Sequence, residues 1–117
     1  MDDLIARVRA AKEPDLALVY SVCEALDLTK GLKDFSPEWR NIYRIRRLID
    51  AEAWTEAALA MVDYCLPGCE KYLWIFGART QANLTGEDCR SYIANAPTPS
   101  LAIMLALLLA VEEMRNG

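Results

Sequence analysis

The sequence contains no histidine. This removes Ser-His-Asp and Cys-His nucleophilic mechanisms, histidine-ligated metals and the commonest general acid–base group. The phosphate-cradling patterns GxxxxGK[ST] and GxGxxG are also missing. Carboxylate or lysine chemistry stays open, but no pairing of such residues announces it. No catalytic residue and no cofactor are therefore assigned, and the chain is read as non-enzymatic.

A membrane-length apolar run is missing too. The longest such run, Leu101 to Val111, is about half of what a span needs, so it is expected as a helix buried in a core. The opening Met1-Asp2-Asp3 lacks the basic-then-apolar layout of a signal peptide. A cytoplasmic location with no membrane partner is expected. There is no excess of basic residues: the net charge is −4. General nucleic-acid binding, which works by neutralising phosphates, is therefore not expected. Four cysteines are present, Cys23, Cys65, Cys69 and Cys89. Their spacing is not the paired CxxC of a zinc ribbon or knuckle. They are read as small buried hydrophobes, with neither metal nor disulfide.

What is present suits a folded domain. Hydrophobic residues make up 54% and charged residues 26% of 117, enough apolar material for one core and one domain spanning 1–117. Asp2 or Asp3 is expected to cap a first helix running to about Lys12. Glu13-Pro14-Asp15 restarts the chain, with proline in the first turn. Leu16, Val19, Tyr20, Cys23 and Leu26 then recur at helical spacing, and Gly31 is the expected stop. A connector over 31–38 ends in Ser36-Pro37-Glu38, a helix start. From Trp39, residues Ile42, Tyr43, Ile45, Leu48 and Ile49 suit a helix.

Arginines punctuate that helix. Residues 31–50 carry five basic and three acidic side chains, a local charge of +2 in an acidic chain. Arg40, Arg44 and Arg47 are candidate anion-binding residues. The plainer alternative is a solvated face pairing with acidic neighbours. A further helix over Ala51 to Leu66 has Leu59, Met61, Val62 and Cys65 as its apolar positions. Its alanines (57, 58 and 60) suit close packing on a sheet, and Pro67-Gly68 ends it.

Residues 71–76, Lys-Tyr-Leu-Trp-Ile-Phe, form the clearest strand. It is apolar on both faces, so cover on both sides is expected. Gly77-Ala78 fits a two-residue hairpin turn with glycine first. A second strand over 79–84, a four-residue turn over 85–88 and a third strand over 89–96 complete a meander. Thr98 is the expected cap and Pro99 the first residue of the last helix, which runs to about Met114. The expected class is α+β. A small three-stranded antiparallel meander packs between helices, as an α/β/α sandwich or in two layers. Residues 1–50 serve as helical cover and the long apolar C-terminal helix lies beneath the sheet.

Side chains alternate along a strand. With those turns, Phe76 faces Arg79, Trp74 faces Gln81, Tyr72 faces Asn83, Gln81 faces Tyr92, and Asn83 faces Arg90. One sheet face is then Leu73, Ile75, Thr80, Ala82, Leu84, Cys89, Ser91 and Ile93, suited to helices. The other gathers Tyr72, Trp74, Phe76, Arg79, Gln81, Asn83, Arg90 and Tyr92. Rings interleaved with arginines and amides can stack on a base and pair with phosphate. The same residue types are enriched at protein interfaces. Three occupants of this face stay open: the chain's own helices or a second subunit, another protein, or a small nucleotide-like ligand.

The layout from 54 to 114 resembles small phage and prophage proteins of the phage ABA-sandwich type. The matching pieces are Trp54-Thr55-Glu56-Ala57-Ala58-Leu59, Leu66-Pro67-Gly68, Tyr72-Leu73-Trp74, and Ala96-Pro97-Thr98-Pro99-Ser100-Leu101-Ala102. The opening Asp3-Leu4-Ile5-Ala6-Arg7 is similar as well, whereas the arginine-rich stretch 39–49 departs from the pattern. The resemblance implies an accessory protein acting in a bacterial host's cytoplasm by binding. Its expected partner is a host or phage protein, such as a defence component or its nucleotide signal, or a second copy of itself. The resemblance transfers no catalytic residues.

Overall fold

The computed structural model describes residues 1–28 and 37–116, with side chains over 1–28 and 40–116. The Gly31 stop, the 31–36 connector and the Trp39 side chain lie outside the described residues. The elements are α1 (Asp2–Ala10), α2 (Leu16–Ala25), α3 (Pro37–Asp50), α4 (Trp54–Cys65), β1 (Glu70–Phe76), β2 (Arg79–Thr85), β3 (Ser91–Ala96) and α5 (Pro99–Asn116). The fold is α+β, with one antiparallel sheet in the order β1-β2-β3.

Helix α5 is the centre of the molecule. Every residue from Ser100 to Leu108 is buried, as is Ala110. A helix apolar all round must be covered all round. The sheet covers one side through β2 and β3, and α4 and α1 cover the others. Thr98 caps it as expected, its hydroxyl accepting from the Leu101 N–H at 3.3 Å. The small inner-face residues Ala82, Ala94 and Ala96, all buried, let α5 approach the sheet closely. Of the early helices, α1 packs on α5, while α2 packs on α1 and α3, and α3 on α4. Alanine-rich α4 packs on α5 and α3, which corrects its expected seat on the sheet.

Several helix ends differ from expectation for local reasons. Met1 is the N-cap of α1, with Asp2 and Asp3 in the first turn, and the helix stops at Ala10 because Ala11 turns extended. Pro14 lies outside α2. Asp15 is the N-cap, its carboxylate accepting from the Leu18 N–H at 2.8 Å. Helix α2 ends at Ala25 because Asp27 adopts a φ of 58° and the Leu28 N–H reaches back to the Cys23 carbonyl at 2.9 Å. Helix α3 ends the same way: Glu52 has a φ of 58° and the Ala53 N–H donates to the Leu48 carbonyl at 2.9 Å. Both are Schellman closures with an acidic residue in place of glycine.

The first hairpin has the expected register, Phe76 opposite Arg79, Trp74 opposite Gln81 and Tyr72 opposite Asn83. Gly77 supplies the positive φ, 58°, that its two-residue turn needs. The second hairpin does not. Gln81 lies opposite Asn95, Asn83 opposite Ile93, and Leu84 opposite Tyr92. The connection is a five-residue loop over 86–90. It is closed by the Gly86 N–H on the Arg90 carbonyl, with Cys89 at a φ of 64° and the Asp88 carboxylate accepting from the Arg90 N–H at 3.1 Å. The register is displaced by three residues from expectation. An odd displacement turns the whole of β3 over.

Among the described residues the sheet has helices on one face only, so the arrangement is two-layered. Strand β1 has the least cover. Leu73 and Ile75 on its inner side and Tyr72, Trp74 and Phe76 on its outer side are all exposed. The expected double cover is not met, because α5 lies beneath β2 and β3 and β1 projects past it. No helix of the described residues is long and apolar enough to cross a membrane.

Candidate functional site: the outer face of the sheet

The outer face is set by the alternation of β1 against β2 and β3. Along β1 it presents Glu70, Tyr72, Trp74 and Phe76; along β2, Thr85, Asn83, Gln81 and Arg79; along β3, Ser91, Ile93 and Asn95. The aromatic residues form one column on the edge strand, beside a polar column on β2. The Tyr72 and Trp74 rings lie 6.0 Å apart and 21° from parallel, a stacked arrangement. The Tyr72 hydroxyl donates to the Glu70 carboxylate, and that bond raises the tyrosine pKa. Gln81 and Asn83 are half-buried, and Arg79 is exposed with no ion pair among the described residues. The result is a sheet face with an aromatic column along its edge strand and hydrogen-bonding groups spread over β2 and β3.

The structure brings together Tyr72, Trp74, Phe76, Arg79, Gln81 and Asn83 as expected, and adds Ile93 and Asn95. It removes Tyr92 and Arg90. With β3 turned over, Tyr92 lies on the inner face beside Leu84. Its hydroxyl bonds Glu113 of α5, which raises its pKa. Arg90 lies in the loop, 3.6 Å from both Asp88 and Glu113. Trp74 and Tyr92 therefore cannot close on one ligand. Ile93, assigned to the inner face, is instead 52% exposed on the outer one.

The displaced residues line a second site that the sequence reading missed. A cavity of about 340 Å³ lies between the end of α4, the 86–90 loop and Met114, with Cys65, Cys69, Arg90 and Tyr92 in its wall. Burial pushes the Cys65 thiol up to about 11 and also raises that of Cys69. Neutral thiols are poor nucleophiles and poor metal ligands. All four cysteines are free. No group of three or more potential metal ligands forms among the described residues.

Arg40, Arg44 and Arg47 share one face of α3 and are exposed. The Arg47 guanidinium lies over the Tyr43 ring at 5.8 Å. Arg44 and Arg47 border a shallow depression of about 410 Å³ with Tyr43 and Leu48. None of the three arginines makes an ion pair among the described residues. Arg46 turns inward, 5.6 Å from the Tyr20 ring centre. Helix α3 packs on α4 and α2, and Arg44 lines a pocket with Asp63 of α4, the residue that holds Lys71 at the start of β1.

No family model matches the chain, and no curated protein or solved structure matches it either.

Proposed function

We propose that this chain is a non-enzymatic accessory protein that acts by binding another protein through the outer face of its sheet. The observation that carries the reading is the aromatic column Tyr72, Trp74 and Phe76, 44%, 43% and 64% exposed on an otherwise well-packed domain. Leaving three rings of one strand in water costs hydrophobic free energy that a partner recovers. Aromatic anchors flanked by amides and an arginine have the composition of an interface centre. The rings form a column along the edge strand and the polar groups are spread over β2 and β3 rather than gathered around the rings, which favours a protein over a small nucleotide. The resemblance of the sequence to phage ABA-sandwich proteins extends the proposal to a phage or prophage origin and a host protein as target.

The test compares what wild-type, Trp74→Ala and Arg44→Ala chains retain from a bacterial lysate, with circular dichroism as the fold control. The reading predicts one protein held by wild-type and Arg44→Ala and lost from Trp74→Ala. Retention by all three would overturn the assignment to this face. Loss from Arg44→Ala alone would move the site to α3.

A further inference from the structure

The geometry points to a second copy of this chain as the cover for strand β1. The two β1 strands pair antiparallel, edge to edge, about a two-fold axis at Leu73, to form one continuous six-stranded sheet. This inference stands independently of what the outer face binds.

From Tyr72 to Phe76, and among the described residues, strand β1 is exposed on both faces and unpaired at its outer edge. Tyr72, Trp74 and Phe76 are exposed outward, Leu73 and Ile75 are 38% and 67% exposed inward, and among the described residues no strand pairs with the edge away from β2. A partner stacked on the outer face would leave Leu73 and Ile75 in water. An added strand, whose own side chains alternate, pairs with the edge and sets side chains beside those of β1 on both faces at once. It must be apolar on both faces, and β1 is such a strand.

The edge also lacks the usual protection. Strand β1 has no proline, and its seven consecutive pairs with β2 leave no bulge. Its one lysine, Lys71, is held by Asp63 of α4. Natural edges are blunted by these very devices. The opposite edge differs: Arg9 of α1 stands beside Ala94 and Asn95 of β3, placing a charge there.

The hairpin fixes the register. A two-residue turn closes on a hydrogen-bonded pair, here Phe76 and Arg79. By alternation, Trp74, Tyr72 and Glu70 bond to β2, while Lys71, Leu73 and Ile75 aim their N–H and C=O groups outward. A two-fold axis at Leu73 sets Leu73 against the partner's Leu73 and Lys71 against the partner's Ile75. All the outward groups are then used, in about six main-chain bonds. The same register puts Tyr72 opposite the partner's Trp74. The two aromatic columns merge into one six-ring strip that neither copy has alone. The exposed parts of the five β1 side chains amount to roughly 500 Å² per copy, against about 800 Å² per partner in a standard interface. A pair of that size falls at the small, transient end of specific interfaces, so dimer is expected only at high protein concentration.

The test combines sedimentation velocity from roughly 1 to 300 µM, a range that brackets such an interface, with amide hydrogen exchange at both ends of the range. Wild-type is expected to go from monomer to dimer. The amides of Lys71, Leu73 and Ile75 should gain protection only at the high end, while those of Tyr72 and Trp74 stay protected throughout. Ile75→Lys adds a charge at an exposed position, and Leu73→Pro removes an outward N–H that β2 does not use. Both are expected to stay folded and monomeric. A monomer at every concentration would overturn the proposal. So would a dimer without new protection at 71, 73 and 75, which indicates face stacking, or assemblies larger than two, which a closed two-fold pair excludes.

Discussion

Asp27 and Glu52 occupy left-handed backbone conformations that ordinarily fall to glycine. The Cβ clash there costs about 1–2 kcal/mol, offset in part by the extra freedom glycine has when unfolded. Asp27 recovers some through Arg115, 3.5 Å away, whereas Glu52 has no ion pair among the described residues. Glu52→Gly is therefore expected to stabilise the protein by about 0.5–1 kcal/mol, read as a raised urea midpoint at unchanged slope. The cysteines give a second prediction at this scale. Burial raises Cys23 and Cys65 from 9.0 to about 11 in the folded chain. A raised pKa means the folded state holds its proton more tightly. The stability this contributes is whole below pH 9 and is lost as pH rises from 9 to about 11. Denaturant midpoints should fall across that window, and less steeply for Cys23→Ala, although that variant starts lower because it leaves a cavity.

At the scale of elements, α5 and the two hairpins show what the sequence does and does not reveal. Helix α5 was legible throughout: a cap-and-proline start and an unbroken apolar run permit little else. Leu107 is fully buried, and Leu107→Ala is expected to cost about 2–5 kcal/mol, measured by chemical denaturation. The first hairpin was legible because Gly77 in a two-residue turn dictates one register. The second was not. Its loop takes a left-handed residue at Cys89, which no glycine advertises, and one unrecognised turn inverts a whole strand. The early end of α2 and the start of α4 at Trp54 rather than Ala51 were hidden for the same reason, since Asp27 and Glu52 carry no stop signal. The candidate face survived in β1 and β2, where register followed from turn chemistry, and failed at Arg90 and Tyr92, where it did not.

At the scale of the whole molecule, apolar residues on both faces of β1 led to the expectation of two covering layers. The chain instead builds its core around α5 and lets β1 project beyond it. That choice leaves an aromatic column, an open edge and two inward aliphatic side chains on one strand. The arginine face of α3 and the cysteine-walled cavity involve other side chains, and both border the start of β1, at Lys71 through Asp63 and at Cys69. A protein that kept β1 only for its own stability would be expected to blunt that edge. Phe76→Ser, at an exposed position, should change the unfolding free energy by no more than about 0.5 kcal/mol while weakening whatever docks on the strand. Comparing its urea curve with its retention of the captured protein separates the two effects.

Native mass spectrometry of wild-type and Trp74→Ala chains, purified gently from the same expressing cells, tests the role of the β1 surface most directly. Wild-type is predicted to carry an added mass, a second copy or a bound protein, that Trp74→Ala loses while keeping a folded charge-state distribution. Identical spectra for the two chains, whether bare or loaded, would contradict the account.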